Sequence, residues 1–223
     1  ARFDLGSFNI AVGGFYVDGV DLPVAISVNL PAGGTTNSRV DPVNTSFPVN
    51  FSNFIFGKER TNTKVKALFG EVGYELPNGA TRFGAEVRYT SEELTTENLR
   101  NPAAAILNET YKFWTPRFTV EHDLSDQAML YATVARGAKA GGFNAGAFNP
   151  DNLVYNPEFN WTYEIGAKTS ISNMATVNVA AYMTKWSSMQ VTAADPDDPG
   201  DFSRVLIRNL GDATIYGAEL EAT

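Results

Sequence analysis

The sequence predicts an all-β chain, about eight strands of an antiparallel up-and-down transmembrane β-barrel. Three observations carry that reading. Nearly every window alternates apolar and polar residues with period 2, and no segment sustains a period of 3.6. The connections alternate between short and long, so successive antiparallel strands place all the short ones at one end. In the hairpins whose register the turns fix, apolar residues gather on one face and charged residues on the other.

In chain order, strands are expected at 4–18, 63–76, 81–94, 111–124, 128–139, 160–171, 175–192 and 204–222. Short turns fall at 77–80 (Pro-Asn-Gly-Ala), 125–127 (Ser-Asp-Gln) and 172–174 (Ser-Asn-Met), and long connections at 19–62, 95–110, 140–159 and 193–203. Asn78-Gly79 predicts a type I′ hairpin, in which both central residues take positive φ. Pairing Pro77 with Ala80 then sets Tyr74 opposite Phe83, Val72 opposite Ala85, Gly70 opposite Val87 and Leu68 opposite Tyr89 on one apolar face. The other face sets Glu75 against Arg82, Gly73 against Gly84, and Glu71 against Glu86 with Arg88 on the diagonal. Pairing Ile171 with Ala175 likewise makes an apolar face of Thr169–Val177, Ala167–Val179, Ile165–Ala181 and Tyr163–Met183, backed by Lys168–Asn178, Glu164–Tyr182 and Thr162–Thr184. For 111–124 against 128–139, a two-residue and a three-residue turn put opposite faces of Leu130–Val134 outward, and the register stays open. Trp161, Tyr163, Tyr89 and Trp114 sit at comparable heights toward the long-loop end, where an aromatic girdle belongs.

A soluble barrel or sandwich would also alternate. Glu71, Arg82, Glu86, Arg88, Glu121, Glu164 and Lys168, however, fall mid-strand on the face opposite the apolar one, as in the polar lumen of a membrane barrel. A one-residue slip in 81–94 would turn two arginines and Glu86 toward lipid, at a cost of about 2–4 kcal/mol for each arginine near the midplane. Strands of twelve residues or more also exceed the usual soluble length of about 5–6.

Composition narrows the function. The 43% hydrophobic content excludes a disordered polymer, and a net charge of −8 argues against nucleic acid. No run of about 18 apolar residues offers a spanning helix. With no cysteine, disulfide scaffolds, thiol catalysis and Cys-ligated zinc are excluded. His122 is the only histidine, so neither a His-rich metal site nor a Ser/His/Asp triad with a choice of base can be assembled. The Gly-rich stretch Gly137–Gly146 lacks the Gly-Lys-Ser/Thr ending of a phosphate loop. Asp195-Pro-Asp-Asp-Pro-Gly-Asp201 resembles a calcium loop in spacing, but Pro199 and Leu206 stand where oxygen ligands are needed, which leaves a solvated acidic loop tip. Glu71, Glu86 and Glu164 share a face, and structural ion pairing accounts for them better than glycoside chemistry does. No enzyme activity, cofactor or metal site is expected.

Four stretches resemble a known family. Phe83-Gly-Ala-Glu-Val-Arg-Tyr-Thr90, then Ala132 to Asn144 (ATVARGAKAGGFN), then Asn156 to Thr169 (NPEFNWTYEIGAKT), then Asn209 to Glu221 (NLGDATIYGAELE) are similar, in order and spacing, to the barrel of TonB-dependent receptors. The resemblance covers 63–223 well and 1–62 loosely. It implies that the whole chain, 1–223, is part of one barrel domain of 22 strands in the outer membrane of a Gram-negative bacterium. It also implies active import powered by the TonB complex, reached through an N-terminal plug and TonB box that these residues do not contain. A small-molecule ligand such as a ferric siderophore is the cargo the resemblance suggests. Contacts to it are expected from the long loops and upper lumen, where aromatics and cations meet an anionic or aromatic chelate: Arg136, Lys139, Phe143, Asn144 and Tyr155. Two other readings remain open, a self-contained eight-stranded outer-membrane barrel with a structural or adhesive role, and a soluble all-β carbohydrate-binding domain.

Overall fold

The computed structural model describes residues 1–21, 28–29, 35–36, 59–98, 105–144, 147, 149–171, 175–197 and 205–223. Nine strands form one antiparallel sheet in the order β1 (Arg2–Leu5), β2 (Phe8–Asp21), β5 (Glu59–Glu75), β6 (Thr81–Asn98), β7 (Leu107–Ser125), β8 (Ala128–Lys139), β11 (Glu158–Ile171), β12 (Ala175–Ser187) and β15 (Ala213–Ala222). Three short ribbons stand apart from it: β3 (Val28–Asn29) with β4 (Thr35–Thr36), β9 (Gly142–Phe143) with β10 (Val154–Tyr155), and β13 (Gln190–Ala194) with β14 (Val205–Asn209). The sheet is open. Its edges, β1 and β15, do not pair with each other, so the closed eight-stranded barrel is not what these residues form.

The register agrees residue for residue with the two hairpins that the sequence fixes: Tyr74 pairs with Phe83 and Leu68 with Tyr89, and Ile165 pairs with Ala181 and Tyr163 with Met183. The open register resolves through a bulge. Ser125 pairs with Ala128 around a two-residue turn, but Asp123 pairs with Met129, so Leu124 is the extra residue and Leu130, Ala132 and Val134 join the apolar face. All four tight connections, at 6–7, 76–80, 126–127 and between Ile171 and Ala175, lie at one rim, as the partners Phe8–Tyr74, Thr81–His122 and Thr169–Ala128 require.

Four expectations change. The strand foreseen at 4–18 is a hairpin, because Gly6 at φ 66 opens a tight turn between β1 and β2. The Asn78-Gly79 turn is not type I′, since Gly79 (φ 71) alone has positive φ. Pro77, with its φ preset, instead starts a turn that Gly79 N closes on Leu76 O at 2.9 Å, and the register survives. The strands foreseen at 175–192 and 204–222 break at Ser188 (φ 55) and Gly211 (φ 74), which free β13 and β14 from the sheet. Lastly, β5, β6 and β7 run to 17, 18 and 19 residues, well into the foreseen loops. Polar cross-strand partners carry them upward: Thr61 with Thr96 at 3.0 Å, Arg60 with Glu97 at 3.7 Å, and Asn108 Nδ2 donating to Thr95 Oγ1 at 3.1 Å.

The two faces decide the solvent. Among the described residues only Ala67, Tyr111 and Leu206 are buried apolar side chains, whereas Leu68 is 69% exposed, Ile165 65% and Leu220 74%. A soluble sandwich buries its apolar face under a second sheet, and among the described residues nothing covers it. The opposite face is tied by charge. Arg82 donates from Nε to Glu121 at 3.1 Å and from Nη1 and Nη2 to Asp123 at 2.6 and 2.9 Å, passing over its register partner Glu75. Arg117 lies 3.7 Å from Glu86 and offsets the Glu71–Glu86 juxtaposition. Tyr131 lies across Gly166 and donates to Glu164 Oε1 at 2.8 Å, a fit that requires the missing side chain, since a Cβ at 166 would sit 2.5 Å from the ring.

Candidate functional site

At the long-loop rim the inner face meets the ribbons β9–β10 and β13–β14. A cavity of about 850 Å³ opens there, lined by Phe15, Arg88, Glu92, Phe113, Arg136, Lys139, Gly141, Tyr155 and Gln190 among others. A neighbouring cavity of about 440 Å³ shares Phe15, Arg88 and Arg136 and adds Glu71, Glu86 and Arg117. Cations and aromatic rings therefore meet at the top of the charged face. Arg88 stacks 4.6 Å from the Phe15 ring centroid and donates from Nε to Thr90 Oγ1 at 3.0 Å. The ring shields one side of the guanidinium plane.

Of the five residues expected to meet ligand, three line the larger cavity and two do not. Arg136 is in register with Trp161, with the parity of the apolar face, and enters the cavity lining just beyond the last β7–β8 pair, Arg117–Ala135, where the ladder has opened. Its guanidinium stacks 4.2 Å from the Phe159 centroid, and Nη1 donates to Trp114 O at 3.0 Å, bridging the strands where their ladder has stopped. Lys139 reaches Glu158 at 3.8 Å, with the lysine side chain 65% exposed and the carboxylate 7%. Tyr155 is half-buried, and that burial pushes its phenol pKa up, so it stays a neutral donor at the site. Gly141 passes so close to Tyr155 and Tyr111 that a Cβ would overlap both.

Phe143 and Asn144 have other work. Phe143 pairs with Val154 in the β9–β10 ribbon and is half-buried. Asn144 donates from Nδ2 to Asn152 O at 3.0 Å and Ile207 O at 2.8 Å and accepts from Ile207 N at 2.9 Å, which binds one long connection to the other. Sequence reasoning missed four further residues that tie the connections together, Gln190, Glu158, Asn156 and Asn209. Gln190 donates from N to Glu158 Oε2 at 2.6 Å and from Nε2 to Ala140 O at 2.8 Å and Asn156 O at 3.0 Å. Asn209 accepts from Asn156 N at 2.7 Å and donates to Asn156 O and Ser188 O at 2.9 and 2.7 Å. Asn156, Glu158 and Asn209 all lie within the stretches that carry the family resemblance, which was the available signal. The acidic loop also differs from expectation: Asp195 is fully buried and accepts from Asp197 N at 3.0 Å, while 198–204 lie outside the described residues. No metal-holding group of carboxylates and histidine occurs among the described residues.

The model of the TonB-dependent receptor-like β-barrel matches residues 2–223. The chain belongs to that family. As a TonB-dependent receptor barrel it is an outer-membrane protein of a Gram-negative bacterium, of a family of transport proteins rather than enzymes. Solved structures share the fold at low identity. The ferric yersiniabactin uptake receptor FyuA from Yersinia pestis is 16% identical with a TM-score of 0.62, over 99% of this chain and 34% of its own. The ferric preacinetobactin receptor BauA from Acinetobacter baumannii is 15% identical with a TM-score of 0.66, over 99% and 32%. The copper transporter OprC is 14% identical with a TM-score of 0.69, over 99% and 32%. The chain thus spans about a third of the length of these receptors.

Proposed function

We propose that this chain forms one sector of the wall of a 22-stranded receptor that imports a scarce, anionic metal chelate, a ferric siderophore first of all, under power from the TonB complex. The supporting observation is the larger cavity at the long-loop rim, where Arg88, Arg136 and Lys139 face Phe15 and Tyr155. Such a lining suits a ligand that is negatively charged and carries flat aromatic or conjugated groups, because cations neutralise the former and rings stack on the latter. In this reading Arg136, Lys139 and Tyr155 touch the chelate, while Phe143 and Asn144 hold the connections that frame it. Coupling to TonB runs through a plug outside this sequence, and the polar inner face, with Arg82, Glu86 and Arg117, turns toward that plug.

The test is equilibrium binding of a panel of ferric chelates to the intact receptor by intrinsic fluorescence quenching, repeated with R136A and K139A. A saturable signal for at least one anionic chelate, weakened by about 1–3 kcal/mol in R136A, supports the reading. A receptor that binds only neutral or cationic ligands, or one indifferent to both substitutions, contradicts it.

A further inference from the structure

A proline inside a sheet removes a hydrogen bond from the ladder, and such prolines are otherwise confined to edge strands and bulges. Pro116 stands in the middle of β7, the fifth of nine strands. The direction of its nitrogen follows from three bonds. Asp123 N donates to Ala80 O at 2.8 Å, so Asp123 and every second residue before it turn their backbone groups to β6. The alternate residues, Trp114 and Pro116 among them, turn to β8, where Arg136 Nη1 reaches Trp114 O at 3.0 Å. Ser170 N donates to Gln127 O at 2.8 Å, which by the same count turns Ala135 and Gly137 to β11, and Val134 and Arg136 to β7. Phe118–Val134 is therefore a mutually bonded pair, and Pro116 with Arg136 would be the next. Pro116 has no N–H to give to Arg136 O, and the β7–β8 ladder ends at Arg117–Ala135.

Both strands nevertheless continue past that point, β7 paired with β6 as far as Leu107 and β8 paired with β11 as far as Lys139. What parts is the seam between the two hairpins. The larger cavity lies along it, with Phe113 and Thr115 on one side and Arg136 to Gly141 on the other. Side chains of opposite parity meet across the seam: Phe113 belongs to the charged face and Phe159, two residues from Trp161, to the apolar one, yet their rings lie 6.5 Å apart, edge to face. Arg136 likewise has the outward parity of Leu130, Ala132 and Val134, but it lines the smaller cavity together with the inward Glu86 and Arg117. We propose that Pro116 is the positioning residue of this site: by withholding one N–H it keeps the seam open, and the open seam lets the Arg136 side chain turn through the wall into the cavity. A residue that restores the N–H joins position 116 to Arg136 and then Trp114 to Ala138. Trp114 O passes from the Arg136 guanidinium to Ala138 N, and the guanidinium follows its parity to the outer face. The proposal rests on the reading of Arg136 as a ligand contact, whereas the state of the seam is measurable without any ligand.

The experiment compares the intact receptor in detergent with its P116A and P116V variants. Alanine restores the N–H without adding bulk to the cavity, and valine adds strand propensity. Amide exchange at Trp114 and Ala138, which have no partner in the β7–β8 ladder, is expected to slow by about tenfold or more in both variants, while exchange at Ile165 stays as it was. Ferric citrate, used as an anionic chelate probe, is expected to bind roughly tenfold more weakly to both. P116A/R136A should bind it no more weakly than R136A alone, because the arginine has already left the site. A proline that merely fits its strand would instead give no loss, or a loss that adds to that of R136A. Unchanged exchange at Trp114 and Ala138, or additive losses, would overturn the proposal. If ferric citrate does not bind the unmodified receptor, the exchange result alone decides the seam, and the failure falls on the proposed cargo.

Discussion

Placing a charge at successive depths along β11 measures where the apolar band begins and ends. Ile165 lies four residues from Trp161 on the outward side, between Ala132 and Ala181. At a rise of about 3.4 Å per residue and a tilt of about 40°, it sits roughly 10 Å below the belt, near the centre of an apolar band about 25 Å tall. Ile171 lies ten residues from Trp161, roughly 26 Å lower, at the short-turn border. Both are exposed, at 65% and 56%, so neither substitution disturbs a packed core. Ile165→Arg should then cost about 2–4 kcal/mol and Ile171→Arg about 0–1. Urea titration of the intact receptor folded into phospholipid vesicles reads both as midpoint shifts at unchanged slope. Equal costs at the two positions, or a cost at 165 below about 1 kcal/mol, would place Ile165 in water and refute the depth assignment.

Other predictions follow from the inner face and the loops. Gly166→Val forces the Tyr131 ring off the sheet and breaks its bond to Glu164, for a loss of about 1–3 kcal/mol in the same titration, and Tyr131→Ala in that background should restore part of it. Arg82→Met leaves Glu121 and Asp123 facing each other without a cation, so stability should fall and recover in part with Glu121→Gln/Asp123→Asn; no recovery would remove the clamp from the account. Asn144→Ala deletes three hydrogen bonds between the connections, and amide exchange at 205–209 should accelerate while the sheet at 160–171 stays protected.

Legibility in the sequence followed the range of the interactions. The faces of β5–β6 and β11–β12 could be read because the side-chain period is 2 and each tight turn fixes one pair, after which every other pair follows. The β7–β8 register could not, because the bulge at Leu124 changes parity after the turn and no residue type announces it. The ends of the strands were misjudged for a different reason. Toward the long-loop rim polar residues occupy both faces, Thr95, Thr96 and Asn98 on β6 and Asn108 on β7, so alternation disappears although the ladder continues. At the candidate site, residue chemistry pointed to Arg136, Lys139 and Tyr155, which do line the cavity. Asn144 carried the same polar signature, but its bonds run to Asn152 and Ile207, the latter 63 residues away, a contact no local pattern encodes.

The central claim is that one face of this sheet meets lipid and the other water. It is tested most directly by spin labels on single cysteines introduced in turn at 161–171, in a chain with no cysteine of its own. In lipid vesicles, collisions with oxygen should peak at 163, 165 and 167 and collisions with a nickel chelate at 164, 166 and 168. A helical period, or one in which Ile165 answers to the nickel chelate, would contradict the account.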